Sequence, residues 1–167
     1  MKGYKAFNKD MTNRYGMPFE EGKTYTVSGE LEFGNDGNGL HFCKRLEDTL
    51  RYFPAMEEEI AIAKVTSIGE KVESMDEFYE YFDLYAARSL RIDKILSREE
   101  IIGNLLYVNP RRVVRFVSGF KLTEEVKELF RKLYKDTPEV DLAIQYHQER
   151  NLDVYSHAYQ KVLKREE

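Results

Sequence analysis

The sequence holds no tryptophan, one cysteine (Cys43), three histidines and four prolines in 167 residues. A single thiol makes no internal disulfide, which excludes the stapled secreted domains and fits a reducing compartment. A zinc site wants about four ligands. Beyond His41 and Cys43 only His147 and His157 are on offer, with no second His/Cys pair. No stretch approaches the ~18 consecutive apolar residues of a membrane span. The opening Met1-Lys2-Gly3-Tyr4-Lys5 leads into no apolar core of a signal peptide. No Gly-Lys-Ser/Thr follows the glycine-rich stretch, which excludes a phosphate loop. Positive charge is also short: 26 basic against 30 acidic residues, a net −4, exerts no overall pull on nucleic acid. These absences set the expectation of a cytosolic protein that engages neither membrane nor nucleic acid, and the lack of a complete catalytic set adds the expectation of a protein partner.

What is present is aromatic and charged. Twelve Tyr and ten Phe predict an aromatic-rich core or cleft, and 34% charged residues beside 42% hydrophobic ones are ordinary for a globular domain. A chain of this length buries roughly two thirds of its unfolded surface.

Tyr4 to Phe7 and Tyr25 to Phe33 read as strands, the second interrupted at Ser28-Gly29 as by a bulge. Ile60 to Ile68, closed by Gly69, is the clearest strand. Ile60, Ile62 and Ile68 share one face, and small Ala61, Ala63, Val65 and Ser67 share the other, so something packs closely over the small face. Ser74 opens a capping box for a short helix with Phe78, Tyr79, Tyr81 and Phe82. Ala86 to Ile95 is the last strand, with Leu90 and Ile92 alternating with Arg91 and Asp93.

After Leu96 the period changes from two to 3.6. Ser97-Arg98-Glu99-Glu100 is a second capping box, Asn109-Pro110 starts a helix through Val117, and Thr123 caps another over Val126 to Tyr134. Thr137-Pro138 and Asp153 start two more. The expectation is an α+β fold: a twisted, mostly antiparallel sheet with short helices over 1–96, and a helical region over 97–167 packed on it.

Polar chemistry meets apolar burial at Gly37-Asn38-Gly39-Leu40-His41-Phe42-Cys43. It predicts a turn, a short buried strand and then a helix carrying Leu46, Leu50 and Phe53, ended by Pro54. His41 and Cys43 lie two apart, on one face. They could form half a metal site or a nucleophile pair, although same-face neighbours stand roughly 7 Å apart. The bland alternative is a buried thiol beside a hydrogen-bonded histidine, and which face is buried decides. Asn35, Asp36 and Asn38 could suggest calcium, but a closing glutamate is missing and a strand-connecting turn explains them. Arg111, Arg112 and Arg115, with Lys121 beyond, form one basic cluster, offset by Glu124, Glu125 and Glu128. Phe78 to Tyr85 is either core or an exposed patch.

Two resemblances rest on these residues. Tyr4-Lys5-Ala6-Phe7, Phe19-Glu20-Glu21-Gly22-Lys23-Thr24-Tyr25, Gly39-Leu40-His41-Phe42-Cys43, Asp48, Tyr52-Phe53, Ala63-Lys64-Val65 and Ser89-Leu90-Arg91-Ile92 resemble an uncharacterised domain family of bacteria and bacteriophages. It covers about residues 1–96 and implies no activity. Gly39 to Cys43 followed by Asp48 and Tyr52 is also similar to the strand and helix of ADP-ribosyltransferases. That similarity implies an NAD cleft, with His41, Asp48 and Tyr52 as catalytic candidates and Gly39, His41 and Tyr52 as cofactor-binding ones. No glutamate fits the catalytic position. Two functions are therefore expected as alternatives: a non-catalytic binding or accessory protein without a cofactor or metal, or an NAD-binding enzyme of that type or its degenerate relative.

Overall fold

In the computed structural model the described residues are 1–34, 36–52, 60–74, 83–105, 108, 113, 116, 123–135, 138, 140–142, 144 and 145. They carry five strands: β1 (Lys2–Asn8), β2 (Thr24–Thr26), β3 (Leu40–Cys43), β4 (Ile60–Glu73) and β5 (Leu84–Ile95). Three short helices accompany them: α1 (Thr49–Tyr52), α2 (Arg98–Gly103) and α3 (Glu124–Leu133). The chain forms two compact units, one of residues 1–49 and 61–96, the other of 50–60 and 97–167.

The strand β5 organises the first unit. One edge pairs with β4 from Ala63↔Ile95 to Glu73↔Tyr85. The other edge takes two strands end to end. Leu40 to Cys43 of β3 lie opposite Ala87 to Leu84, and Thr24 to Thr26 of β2 opposite Arg91 to Ser89. Beyond β3 comes β1, with Tyr4 opposite Cys43, and β1 in turn neighbours β4. Four strands thus close a ring, β5-β3-β1-β4, with β2 added. Closure gives backbone donors and acceptors partners that an open edge would leave to solvent.

This mostly β, closed architecture corrects the α+β expectation. Two features explain the difference. The hairpin strands are longer than the alternation predicts, 14 and 12 residues. They also carry extra residues on alternate sides. Asp93 is extra between Lys64↔Lys94 and Val65↔Ile92, and Gly69 and Glu70 stand against the single Arg88 between Ile68↔Ser89 and Lys71↔Ala87. Gly69, predicted to end the strand, sits inside it at φ +75°, the left-handed geometry of a glycine bulge. Bulges raise local twist and let a sheet curl into a barrel. The predicted strand to Phe33 stops at Thr26, and Gly29 turns the chain at φ +86°.

The interior is aromatic. Phe7, Phe19, Leu40, Phe42, Ala63, Val65, Tyr85, Ala87, Leu90 and Ile92 form one buried cluster, with Ala61 packed against it. The small face of β4 is therefore its inner face. Ring centroids stand 5.1 Å apart for Phe7–Phe19, 4.6 Å for Phe19–Tyr25 and 5.5 Å for Phe42–Tyr85, within the favoured range for tilted and offset pairs. Tyr25 keeps its hydroxyl satisfied by accepting from the Glu20 amide at 2.8 Å. Met11 joins the core from a small hairpin over 8–19, in which Phe19 N donates to Met11 O and Thr12 bridges Pro18.

The helix predicted after Cys43 opens as a 3-10 turn, Leu46–Asp48, and runs on as α1; Phe53 and Pro54, where the sequence ends it, lie outside the described residues. In the second unit the Ser97 capping box forms as predicted, and Thr123 caps α3 through Val126 N at 3.3 Å. α2 and α3 pack on each other, and Ile101, Ile102, Val113, Phe116, Val126, Phe130 and Ile144 are buried. The helices predicted near 78–82 and after Asp153 lie outside the described residues; of those starting at Pro110 and Pro138, residues 113, 116, 138, 140–142, 144 and 145 are described and are helical.

A Cβ on Gly3 would meet Cys43 O at 2.3 Å and the Phe42 ring at 2.7 Å, whereas one on Gly103 would meet nothing within 4 Å. Gly3→Ala is therefore expected to cost about 1–3 kcal/mol by overpacking. Gly103→Ala, in a helix, should be neutral or stabilising by about 0.5 kcal/mol. Urea unfolding of both variants tests the pair.

Candidate functional site

The site is built where β3 enters the barrel. Gly39 precedes it at φ +152°, with Ala86 so near that a Cβ would stand 2.7 Å from the Ala86 methyl. Glycine is needed here on both counts. His41 is half-buried on β3, and the neighbours Leu40 and Phe42 point into the core. Its ring therefore faces outward and rests against Phe33, centroids 4.9 Å apart.

Both imidazole nitrogens are in use. The Gly34 amide donates to Nε2 at 3.1 Å, and Nδ1 lies 3.2 Å from the Gly39 carbonyl. An amide N–H can only donate, so Nε2 is the acceptor and Nδ1 carries the proton to Gly39 O. The ring is a fastener that closes the 34–39 loop onto its own strand. The rest of that loop is held by donors too. Asn38 Nδ2 donates to Ser28 O at 2.6 Å and Glu30 O at 2.9 Å, and the Glu32 and Asn38 backbones exchange two bonds of 2.9 Å. Arg88 donates to Val27 O at 3.1 Å and to Gly29 O, and pairs with Glu70 at 2.9 Å.

Lys5 is the unexpected member. Gly3 and Phe7 border the core from β1, so Lys5 between them is also at an inward position. Its ammonium donates to His41 O at 2.6 Å and lies 5.6 Å from the Phe7 ring centroid. Carbonyls on a strand face each neighbour at alternate residues. Cys43 O lies against Gly3 of β1, so His41 O also faces β1, and there an ammonium completes the seam. Burial is the main cause that pulls the Lys5 pKa down to about 8; the Cys43 thiol opposes it and Arg14 adds to it. The His41 pKa is lowered to about 4, first by burial, then by the Lys5 charge, with the Gly39 carbonyl opposing and Arg14 contributing.

The residues singled out in the sequence separate here. Gly39 and His41 are joined by a hydrogen bond. Cys43 is fully buried, and no ring nitrogen is left over to activate its thiol. Asp48 is 2% exposed in the 3-10 turn beyond β3. With the ring nitrogens of His41 taken by Gly34 and Gly39, Asp48 is not its partner. Tyr52 ends α1. Arg111, Arg112, Arg115, Lys121, His147 and His157 lie outside the described residues, as do Asn35 and Phe78 to Phe82. Asp36 is exposed. Among the described residues no group of three His, Cys, Asp or Glu side chains is placed to hold a metal ion. Likewise no described helix is long and apolar enough to cross a membrane. Sequence reasoning missed Lys5, Arg14 and Arg88. For Lys5 a signal existed: a lysine in phase with Gly3 and Phe7 on an otherwise apolar inner face.

Fold and site together define a small barrel domain in which the strand-bearing histidine is structural. The chain belongs to the family described as a domain of unknown function (DUF7666), which matches residues 1–102. No curated protein and no solved structure matches it.

The folded pKa of His41 lies below its unfolded value near 6.5, so the unfolded chain takes up the proton first as pH falls. Stability from this group is complete above about 6.5 and declines toward about 4. Protonation also removes the Nε2 lone pair that holds Gly34. For a half-buried ring, discounted for solvent screening, the loss is about 1–2 kcal/mol. The difference between wild type and His41→Phe in urea unfolding from pH 7 to 4 should show that slope, and NMR titration should place the imidazole near 4.

Proposed function

We propose that the domain is a non-catalytic binding or accessory module that acts through protein contacts, in a bacterial or bacteriophage setting. The observation that carries this reading is the tip of the 8–19 hairpin. Asn13 Oδ1 accepts from the amides of Tyr15 and Met17, both at 2.9 Å, and Asn13 N donates to Met17 O at 2.9 Å. A tip pinned in this way presents Tyr15, 72% exposed, and Met17, 41% exposed, to solvent. Large apolar side chains on a rigid, solvent-facing turn lose little entropy on contact and suit a protein surface.

The NAD-binding alternative requires a His41 ring free to meet nicotinamide and a cleft shared with Asp48 and Tyr52. A ring fixed through both nitrogens speaks against it, as does the burial of Asp48.

A photo-cross-linking residue in place of Tyr15 in cells is expected to capture one discrete protein in stoichiometric yield. The same residue in place of Ile68, also exposed on β4, should capture none. Tyr15→Ala with Met17→Ala should abolish a complex with that protein while changing stability by less than about 0.5 kcal/mol per site. Absence of an adduct sinks the reading. So does stabilisation by NAD that disappears in His41→Ala; a ligand at 100 times its Kd would stabilise by ~2.7 kcal/mol.

A further inference from the structure

The closed ring β5-β3-β1-β4 leaves β2 outside it, hydrogen-bonded along one edge. Ile92 N donates to Lys23 O at 2.9 Å, Val27 N donates to Arg88 O at 3.0 Å, and Tyr25 stands opposite Leu90. Residues 23, 25 and 27 thus turn their backbone groups toward β5. In an antiparallel ladder the residues between them, Thr24 and Thr26, turn their amides and carbonyls the other way. Both threonines are exposed, and among the described residues β5 is the only strand paired with β2. The Thr26 hydroxyl is engaged, 2.8 Å from Ser89 Oγ. The four outward backbone groups of Thr24 and Thr26 meet no donor or acceptor among the described residues.

This edge is short but firmly seated. The Tyr25 ring packs on Phe19 with centroids 4.6 Å apart, and its hydroxyl accepts from the Glu20 amide at 2.8 Å. Gly22 N donates to Ile92 O at 2.7 Å on one side, and Arg88 donates to Val27 O at 3.1 Å on the other. Open backbone groups on a fixed strand are a template for one more strand, and a preset host loses little order when it binds. Charge decides what fits. From Glu20 to Glu32 the chain carries four glutamates, Glu20, Glu21, Glu30 and Glu32, against one lysine, Lys23, which is paired with Glu20. Glu30 and Glu32 are exposed just past the strand, and no described cation pairs with either. A second copy of β2 would bring its own glutamates to the same place, where like charges repel. A basic segment brings the opposite sign.

We propose that the outer edge of β2 takes up an extended basic segment of a partner protein as an added antiparallel strand. Thr24 and Thr26 each exchange a pair of backbone bonds with it, and its cations lie against Glu30 and Glu32. Cross-strand partners share a face, so the basic residues of the segment stand on the wet side with the threonines. Its apolar residues stand on the side of Tyr25, which packs on the core. The inference goes beyond the Tyr15 contact, since it uses a different element and needs no residue of the hairpin tip.

The test uses the full chain at low ionic strength, amide hydrogen exchange read residue by residue by NMR, and a short peptide of alternating lysine and valine. In the free protein the Thr24 and Thr26 amides should exchange faster than those of Tyr25 and Val27. Saturating peptide should slow Thr24 and Thr26 by about tenfold or more, an effect that weakens as salt rises. A peptide of alternating glutamate and valine should leave them unchanged. N-methylation of the peptide's lysines, whose amides face β2, should abolish the protection, whereas N-methylation of its valines should spare it. Glu30→Gln with Glu32→Gln should weaken binding, and Thr26→Pro, which removes an outward amide and leaves the β5 ladder intact, should abolish it. Should Thr26→Pro fail to fold, the two N-methylated peptides decide without altering the protein. Thr24 and Thr26 amides already protected in the free protein, no protection by the lysine peptide, equal protection by the glutamate peptide, or indifference to lysine N-methylation would each overturn the proposal. Protection that grows with protein concentration alone would assign the edge to a second copy and overturn it too. If the Tyr15 cross-link forms while the edge stays unprotected, the edge proposal falls and the reading of the tip stands. If the peptide protects the edge and no cross-link forms, the tip reading falls and the edge proposal stands.

Discussion

A twelve-residue strand hydrogen-bonded along both edges is the constraint on which this domain depends. β5 takes β4 on one side and β3 with β2 on the other, so its backbone groups are spent in ladders. With β1 joining β3 to β4, the sheet has no choice but to curl. The residues at the curl are the ones that break alternation, Asp93 and the Gly69-Glu70 pair. The interior that results is narrow, and it explains why β4 turns alanines and a valine inward while phenylalanines fill the rest. Small residues on one wall make room for rings from the others.

The same narrowness shapes the polar end. Gly3 must lack a side chain because Phe42 and the Cys43 carbonyl occupy its place. Lys5, next in phase, can stay only by sending its ammonium to a backbone carbonyl. His41, facing the other way, ties the loop that led into its strand. Two basic side chains that look like candidates for chemistry are therefore first of all parts of the framework. They differ in how they are held: the imidazole uses both nitrogens, whereas among the described residues the ammonium has the His41 carbonyl as its hydrogen-bond acceptor.

How much of this could be read from the residues follows the range of the interaction. Local signals carried through. The Ser97 capping box and the Thr123 cap are settled within four residues, and both are found where the sequence puts them. The strand at Leu40 was legible from apolar neighbours around His41. Closure was not, because it depends on partners far apart in the chain, and bulges leave only a glycine as their trace. Gly69 looked like an end and is a bend. The helix after Cys43 opens with a 3-10 turn that the sequence did not distinguish, since Leu46 and Leu50 fit either spacing. At the site, His41 and Gly39 were found by sequence, whereas Arg88 and Arg14 were not, since nothing local marks which surface arginine will meet a loop carbonyl or a distant lysine.

The seam between β1 and β4 carries a further consequence. The Met1 amino group donates to Ser67 O, and Ser67 N donates back to Met1 O at 2.8 Å, across 66 positions of sequence. Contacts of that separation can form only after the intervening chain has been gathered, so the ring shuts late and slowly compared with the β4–β5 hairpin. During synthesis the first strand must wait for β4, its partner on that edge, which emerges after β3. Until then its inward lysine keeps a short apolar segment in water and away from other nascent chains.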